Sequence, residues 1–546
     1  MNASDLFVKI LEQHGVEVVY GIPGEENLDL LEALRKSKIK LILTRHEQGA
    51  AFMAATYGRM TGRIGVAIST LGPGATNFTT PAAYATLGGF PMLLITGQKP
   101  IKKSKQGRFQ IIDSVAMFRP LTKYSKQIVD VAMVAATLTE ALKTAVEEKM
   151  GCVHIEFPED ISAQPVETDT PMPLPYLETY MAVANPTAIA KAAELIKKAK
   201  SPLVLIGAGG NRGDNSDKIT DFINTVGIPF FNTQMGKGTV SEDNPHFLGT
   251  AALSGGDYIH EAVKKADLVI CVGVDVIEKP AFFMEKNSAP VIHINYSAST
   301  LDNIYFPSLE VLGDIGESLD MLGSTLGKCT QDFSYAYKVR DFILKHISQH
   351  DSDNAFPIKP QKLVRDVNKV MADGYVALDN GMYKLWFARN YLCMHSNGLL
   401  LDNALATMGA GLPSAMEVAR LYPHKKVLAV VGDGGFMMNS QELETAMRLK
   451  LNLVVMILND SAYGMIRWKQ AGQNLADFGL TFNNPDFVKY AGAYGANGIR
   501  ISATSELIPT LENCFKTGGV HVIDMPIDYS ENKKVLIDEL KNKENI

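Results

Sequence analysis

The sequence predicts an α/β protein built from three consecutive parallel-sheet domains, and three observations carry that expectation. Short apolar runs alternate with helical patterns along the whole chain, the signature of strands joined by crossover helices. Two weakly periodic, proline-bearing segments, Val166–Pro186 and His346–Pro360, read as linkers and cut the chain into thirds. Finally, 546 residues are more than one hydrophobic core organises. The expected domains are residues 1–170, 186–345 and 357–546.

Within the first third, Val18–Gly21, Ile64–Ser69 and Met92–Thr96 read as strands; within the second, Leu203–Ile206, Leu268–Val272 and Val291–Ile294. The last third offers Tyr375–Leu378, Val427–Val431, Leu453–Leu458 and Val520–Ile523. No short repeat interrupts this order, and the Lys-rich end, Lys533–Lys543, reads as a solvated helix face or tail.

Composition narrows the function classes. Hydrophobic content of 46% and charged content of 21% are those of a soluble globular protein. A net charge of −6 argues against nucleic acid or an acidic membrane as partner, and no apolar stretch is long enough for a bilayer span. The chain starts directly on an amphipathic pattern (Leu6, Phe7, Ile10, Leu11) rather than a signal peptide, and its five cysteines are scattered without a CxxC pair. Both features lead to the expectation of a cytoplasmic protein with reduced thiols.

Chemistry concentrates in residues 432–465. A Gly432-Asp433-Gly434 turn ends one apolar run, an Asn459-Asp460 pair ends the next, and a helix is expected between them from near Ser440. Neighbouring parallel strands open their carboxyl ends onto one crevice, so Asp433 and Asp460, 27 positions apart, are expected to meet there. Two hard oxygen ligands beside small residues suit Mg²⁺ carrying a diphosphate. Gly434 and Gly435 leave room for phosphate to approach the backbone. The competing reading is a strand-turn-helix-strand unit with ordinary turn residues.

This stretch resembles the diphosphate–Mg²⁺ signature of thiamine diphosphate enzymes. From about Ala3 to Tyr529 the chain resembles the catalytic subunit of acetolactate (acetohydroxyacid) synthases. The resemblance implies thiamine diphosphate and Mg²⁺ as cofactors, with Asp433, Asp460 and the Ala462 carbonyl as metal ligands. Gly381, Met382 and Tyr383 match positions near the diphosphate; Tyr463, Gly464 and Met465 match the far side of the metal loop. Many relatives carry Asn at the position of Asp460, where a second carboxylate adds charge beside the diphosphate.

Further motifs extend the resemblance. Glu47, in Arg45-His46-Glu47-Gln48 after the apolar run Leu41–Leu43, opens a helix of small residues. By its position alone it is a first-turn acid favoured by the helix dipole. The resemblance makes it the carboxyl group that hydrogen-bonds the cofactor pyrimidine and activates it. Thr70, Pro73 and Asn77, in a Gly-Pro-Gly loop between strand and helix, carry over to the pyrimidine side. Ala406 and Met408 match the segment whose bulky apolar side chain wedges under the bent cofactor. In this family the site forms between the first domain of one subunit and the last domain of another, which implies at least a homodimer.

The substrate is a 2-oxo acid under this resemblance. None of the eleven histidines is adjacent to another, unlike the paired histidines of many decarboxylases. Phe109 and Gln110 instead resemble the Phe-Gln loop of acetolactate synthases, where a neutral amide positions a second keto acid. The implied reaction is decarboxylation of pyruvate and condensation of the remaining two-carbon unit with a second 2-oxo acid, giving 2-acetolactate and CO₂. Two alternatives are a thiamine diphosphate-dependent decarboxylase or lyase for another 2-oxo acid, and a non-catalytic relative.

Three departures bear on the substrate. Glu25 replaces the usual Gly or Ala near it, Glu159 stands where many relatives have Lys or Gln, and Trp468 lies one position off a tryptophan that favours 2-oxobutyrate, with Lys469 at that position. In the middle domain, Gly207-Ala208-Gly209-Gly210 leaves room for FAD. The arginine-bearing run that biosynthetic synthases place after the matching strand is missing, however, so FAD is not favoured. A regulatory small subunit is compatible with the resemblance.

Overall fold

The computed structural model describes residues 1–102, 107–167, 181–279 and 288–541. Three six-stranded sheets, every registered pair parallel, carry the chain, as the alternating pattern predicts. The first contains β1 (Val18–Gly21), β2 (Lys40–Leu43), β3 (Gly65–Ser69), β4 (Met92–Gln98), β5 (Tyr124–Gln127) and β6 (Cys152–Pro158), in the order β2-β1-β3-β4-β6-β5. The second contains β7 (Pro202–Ile206), β8 (Phe230–Thr233), β9 (Phe247–Ala251), β10 (Leu268–Val272), β11 (Val291–Asn295) and β12 (Leu309–Leu312), ordered β12-β11-β10-β7-β8-β9. The third contains β13 (Tyr375–Leu378), β14 (Leu399–Leu400), β15 (Val427–Gly432), β16 (Leu453–Asn459), β17 (Asn497–Arg500) and β18 (Val520–Pro526), ordered β14-β13-β15-β16-β18-β17. The first and third sheets therefore share one strand order, and the second has the doubly wound order of dinucleotide-binding folds.

Strand order matters because winding reverses at one point in each sheet, and ligands bind outside the carboxyl ends there. In the first sheet that point lies between β1 and β3, where the chain leaves at Gly24–Glu26 and Thr70. In the third it lies between β13 and β15, where it leaves at Gly381 and Asp433.

By contacts the described chain clusters into two units. One comprises residues 1–180, 404–421 and 439–449; the other comprises 181–403, 422–438 and 450–546. In the first unit, helix Gly411–Leu421 lies along helix Glu47–Thr61, with Thr56 Oγ1 donating to Ser414 Oγ at 3.0 Å. Helix Glu47–Thr61 is buried from Gly49 through Gly58. That burial on all sides explains its run of Gly and Ala: larger side chains would hold its neighbours apart.

Three expectations are corrected. The helix after β15 begins at Asp433, not near Ser440, so Gly434 and Gly435 occupy its first turn rather than a loop. Intrinsic glycine propensity is overridden there by packing, since Phe436 is buried edge-on against Phe487 and Tyr490. The second expected linker starts inside a helix, Ser334–Ser348, whose Ala336, Val339 and Ile347 are buried. At the Lys-rich end Val535 and Leu536 join the core of the C-terminal sheet, so that face is not wholly solvated. Residues 168–180 of the first expected linker, and residues 542 and 543 of the Lys-rich end, lie outside the described residues. Among the described residues no helix is long and apolar enough to cross a membrane.

Candidate active site

In the first unit, the turn after β2 delivers Glu47 to the first position of its helix. His46 caps that helix in extended conformation, its ring Nδ1 accepting the Gln48 N–H at 3.0 Å. Glu47 is buried, and Asn77 Nδ2 donates to its Oε2 at 2.8 Å. Asn77 ends the short helix Gly72–Asn77 that follows Thr70, so the sequence-predicted Glu47, Thr70, Pro73 and Asn77 are brought together. Gly74 eases this approach: a β-carbon there would lie tightly, 3.2 Å from Glu47 Oε1 and 3.0 Å from Thr70 Cγ2.

Gln110 lies beside this loop, with Phe109 preceding it in the chain. A β-carbon on Gly72 would fall 2.5 Å from the Gln110 carbonyl oxygen, and Gln110 has a left-handed φ of 57°. A left-handed non-glycine residue costs energy and is a common mark of a functional loop. Phe109 is 72% exposed. Ala406, exposed with φ 56°, and the half-buried Met408 sit in a second irregular turn of the same unit. Asn439 Nδ2 pins that turn by donating to the Gly409 carbonyl at 2.7 Å, and it also reaches Gln48 Oε1 at 2.9 Å.

In the second unit the carboxyl ends of β15 and β16 bring Asp433 and Asp460 together, as their spacing predicts. Asp433 is 2% exposed; its Oδ2 accepts from the Ser461 N–H (2.7 Å) and Asn484 Nδ2 (2.8 Å), and its Oδ1 from the Gly434 N–H (2.8 Å). Burial raises its pKa, and burial followed by the charge of Asp433 pushes Asp460 up to about 7. Two carboxylates that disfavour each other's charge are the donor set a divalent cation relieves. Among the described residues no group of three or more His, Cys, Asp or Glu side chains is placed to hold a metal, so a cation here needs backbone and phosphate oxygens as well. The Ala462 carbonyl accepts the Gly464 N–H at 3.0 Å and keeps a second lone pair. Ser461, at φ 53°, makes the turn that presents it.

The bed around this pair is shaped by missing β-carbons. One on Gly434 would lie 2.9 Å from the Tyr463 ring, and one on Gly464 would lie 3.2 Å from Asp460 Oδ2. Gly435 is buried in the same helical turn. Gly381 caps helix Met382–Asn390, with Met382 and Tyr383 buried behind it and the Tyr383 hydroxyl accepting the Gly432 N–H at 2.9 Å. Met465 packs on the C-terminal core. Asn459 is taken up by Asp524 (2.9 Å) and Asn484 (3.0 Å). Helix N-termini beside a glycine-lined opening and paired carboxylates fit a Mg²⁺-diphosphate.

The FAD alternative meets a different result. After β7 and β10, at the reversal point of the second sheet, the Gly207–Gly210 turn is filled by the chain itself. The buried Glu278 carboxylate accepts the Ala208 N–H through both oxygens (3.1 Å), the Asp275 N–H (3.1 Å) and the Thr233 hydroxyl (2.5 Å). A β-carbon on Gly207 would lie 2.6 Å from Val274 Cα, so the glycine serves strand-to-strand packing. An internal carboxylate stands where a dinucleotide phosphate would be held, and these residues do not fit one.

The departures at the substrate side resolve unequally. Glu26 is buried, whereas the Glu25 side chain is 80% exposed. Trp468 is partly buried against the core, with the Lys469 ammonium 4.6 Å above its ring. Sequence reasoning missed Asn484, Ser461, Asn439 and Glu442. Glu442, fully buried, accepts the backbone N–H groups of Arg45 (3.1 Å) and His46 (2.9 Å), and so fixes the turn ahead of Glu47.

Comparison with known proteins agrees with this geometry. Residues 1–117, 189–322 and 379–525 match the N-terminal TPP-binding, central and C-terminal TPP-binding domain models of thiamine pyrophosphate enzymes. The chain is 31% identical to an acetolactate synthase of Bacillus subtilis (strain 168), over 99% of this chain and 95% of that one. It is 30% identical to a catabolic acetolactate synthase of Raoultella terrigena, covering 97% and 96%. A probable acetolactate synthase large subunit of Methanocaldococcus jannaschii is 32% identical, covering 97% and 93%. With paired carboxylates at the carboxyl ends of adjacent strands in one sheet, a buried glutamate after a strand of another, and all three domain models matched, the chain belongs to the thiamine pyrophosphate enzyme family as an acetolactate synthase-like enzyme dependent on that cofactor.

Proposed function

We propose that this protein decarboxylates pyruvate and joins the remaining two-carbon unit to a second pyruvate, giving 2-acetolactate and CO₂. The observation that carries the reading is the assembly in the first unit: Glu47 fixed by Asn77, the Thr70–Asn77 loop, and the Gln110 turn packed on Gly72. An activating acid and a neutral amide loop thus share one strand-end surface, the pairing that carboligation needs.

Thiamine diphosphate, when bound, supplies the nucleophilic carbon. Glu47 would hold a proton at its aminopyrimidine ring, and Asn77 keeps that carboxyl group oriented. Thr70 and Pro73 would hold its pyrimidine end, and Met408, with Ala406, would pack against it. Asp433, Asp460 and the Ala462 carbonyl would hold Mg²⁺. Gly381, Met382, Tyr383, Gly434, Gly435, Tyr463, Gly464 and Met465 form the diphosphate bed. Phe109 and Gln110 orient the acceptor without offering a ready proton, which favours ligation over protonation.

The reading extends to organisation. The three functional domains are residues 1–170, 186–345 and 357–546; the working form is a homo-oligomer whose sites are shared between chains, acting in the cytoplasm. The relatives named large subunits make a small regulatory partner worth seeking by co-purification. Incubation with pyruvate, thiamine diphosphate and Mg²⁺, with products resolved by NMR, tests the reaction. Acetolactate is expected; acetaldehyde as sole product, or no turnover, overturns it.

A further inference from the structure

The first sheet carries a charged group that the cofactor roles leave unused. Thr70, at the reversal point of the sheet, donates its hydroxyl to Glu26 Oε2. Glu26 Oε1 in turn holds the Lys99 ammonium at 2.6 Å, and the Glu26 side chain is only 3% exposed. Lys99 follows β4 directly. Its segment is clamped by Asp160, whose carboxylate accepts the N–H groups of Ile101 (3.1 Å) and Lys102 (2.8 Å). A buried carboxylate below and a clamped backbone behind leave the Lys99 side chain 23% exposed. Glu25, at 3.9 Å, is beyond hydrogen-bond length, so the ammonium retains donors for another anion.

Gly74 lies between Glu47 and Thr70, so that a β-carbon on it would approach both (3.2 and 3.0 Å), and Thr70 bonds the Glu26 that holds Lys99, which puts the ammonium on the same strand-end surface as Glu47. We infer that Lys99 is the specificity-determining cation of the site: it binds the carboxylate of the acceptor 2-oxo acid, with Glu26 as its positioning residue. This rests on the carboligase reading above. The charges that act on the Lys99 ammonium, Glu26, Glu25 and Glu159, are all acidic; without a fixed cation there they would repel a second keto acid. Glu159 opens the short helix after β6, and Lys99, following the neighbouring β4, supplies a positive charge beside it.

The test is product partition in Lys99→Met and Lys99→Arg, measured as acetolactate formed per CO₂ released at fixed pyruvate. Loss of a charge-assisted hydrogen bond corresponds to a drop of about tenfold to a hundredfold in acceptor capture. Lys99→Met should therefore release acetaldehyde in place of acetolactate, with partition recovering as pyruvate is raised, while Lys99→Arg stays near wild type. An unchanged partition in Lys99→Met, including a parallel fall of both products, overturns the inference. If Lys99→Met fails to fold, Lys99→Gln carries the same measurement. Wild type that makes no acetolactate overturns the carboligase reading and this inference together; wild-type acetolactate formation with indifferent Lys99 variants overturns the inference alone.

Discussion

Replacing Glu47 by Gln is the most informative single perturbation of the first half-site. Asn77 Nδ2 stands 2.8 Å from Glu47 Oε2. A glutamine would turn its carbonyl oxygen to that donor and keep the backbone and Asn77 in place. Its amide nitrogen must then face outward, presenting a donor that cannot take up or give back a proton. The substitution thus removes acid–base function and little else. General acid–base contributions of about 10²–10⁴-fold translate to roughly 3–5 kcal/mol in the barrier. If Asp433 and Asp460 anchor the cofactor as proposed, its affinity should change by less than about tenfold, within roughly 1.4 kcal/mol. Pyruvate consumption gives kcat, and fluorescence titration gives thiamine diphosphate affinity. A Gln variant retaining kcat within tenfold of wild type would refute the role given to Glu47. A variant that lost cofactor binding instead would show that the glutamate holds rather than activates.

Three further outcomes are expected. Asp460→Asn removes a half-buried carboxylate whose charge is opposed by the neighbouring Asp433, so the metal-free protein should gain thermal stability and keep Mg²⁺-dependent activity within about tenfold; a lower Tm would contradict the opposition inferred here. Glu242→Ala leaves the Lys237 ammonium, 1% exposed and 2.8 Å from its partner, buried without a counter-charge. That should cost about 3–5 kcal/mol in denaturant unfolding, and a loss under about 1 kcal/mol would contradict it. His346, lowered to about 4 by burial first and then by Arg389 and His350, stays neutral in the folded chain while an unfolded one takes up a proton below about 6.5. Stability should therefore fall as pH drops from about 6.5 to about 4, by up to about 3 kcal/mol. His346→Phe, which keeps a ring against Tyr258, should flatten urea midpoints across that window.

Central strands were legible because they are buried on both faces and read as continuous apolar runs, as in Val427–Val431 and Leu453–Leu458. Edge strands were not. Tyr124–Gln127 is half exposed throughout, Asn497–Arg500 carries Asn, Gly and Arg, and Leu399–Leu400 is two residues long. Asp433 and Asp460 could be paired because each ends a recognisable strand. Asn484 and Glu442 could not, since their bonds to Asp433 and His46 span 51 and 396 residues and no local spacing announces them. The Asp433 helix start was hidden by glycines that look like a turn until Phe436 finds its aromatic partners. Glu278 was equally invisible: its carboxylate is matched to the Gly207–Gly210 turn only once β7 and β10 lie side by side.

Stoichiometry tests the central claim most directly. With purified protein, thiamine diphosphate and Mg²⁺, pyruvate consumed is measured against CO₂ released in the same vessel. Carboligation of pyruvate with pyruvate consumes two molecules for each CO₂, and that ratio is the prediction. A ratio of one, with acetaldehyde accounting for the carbon, would contradict it.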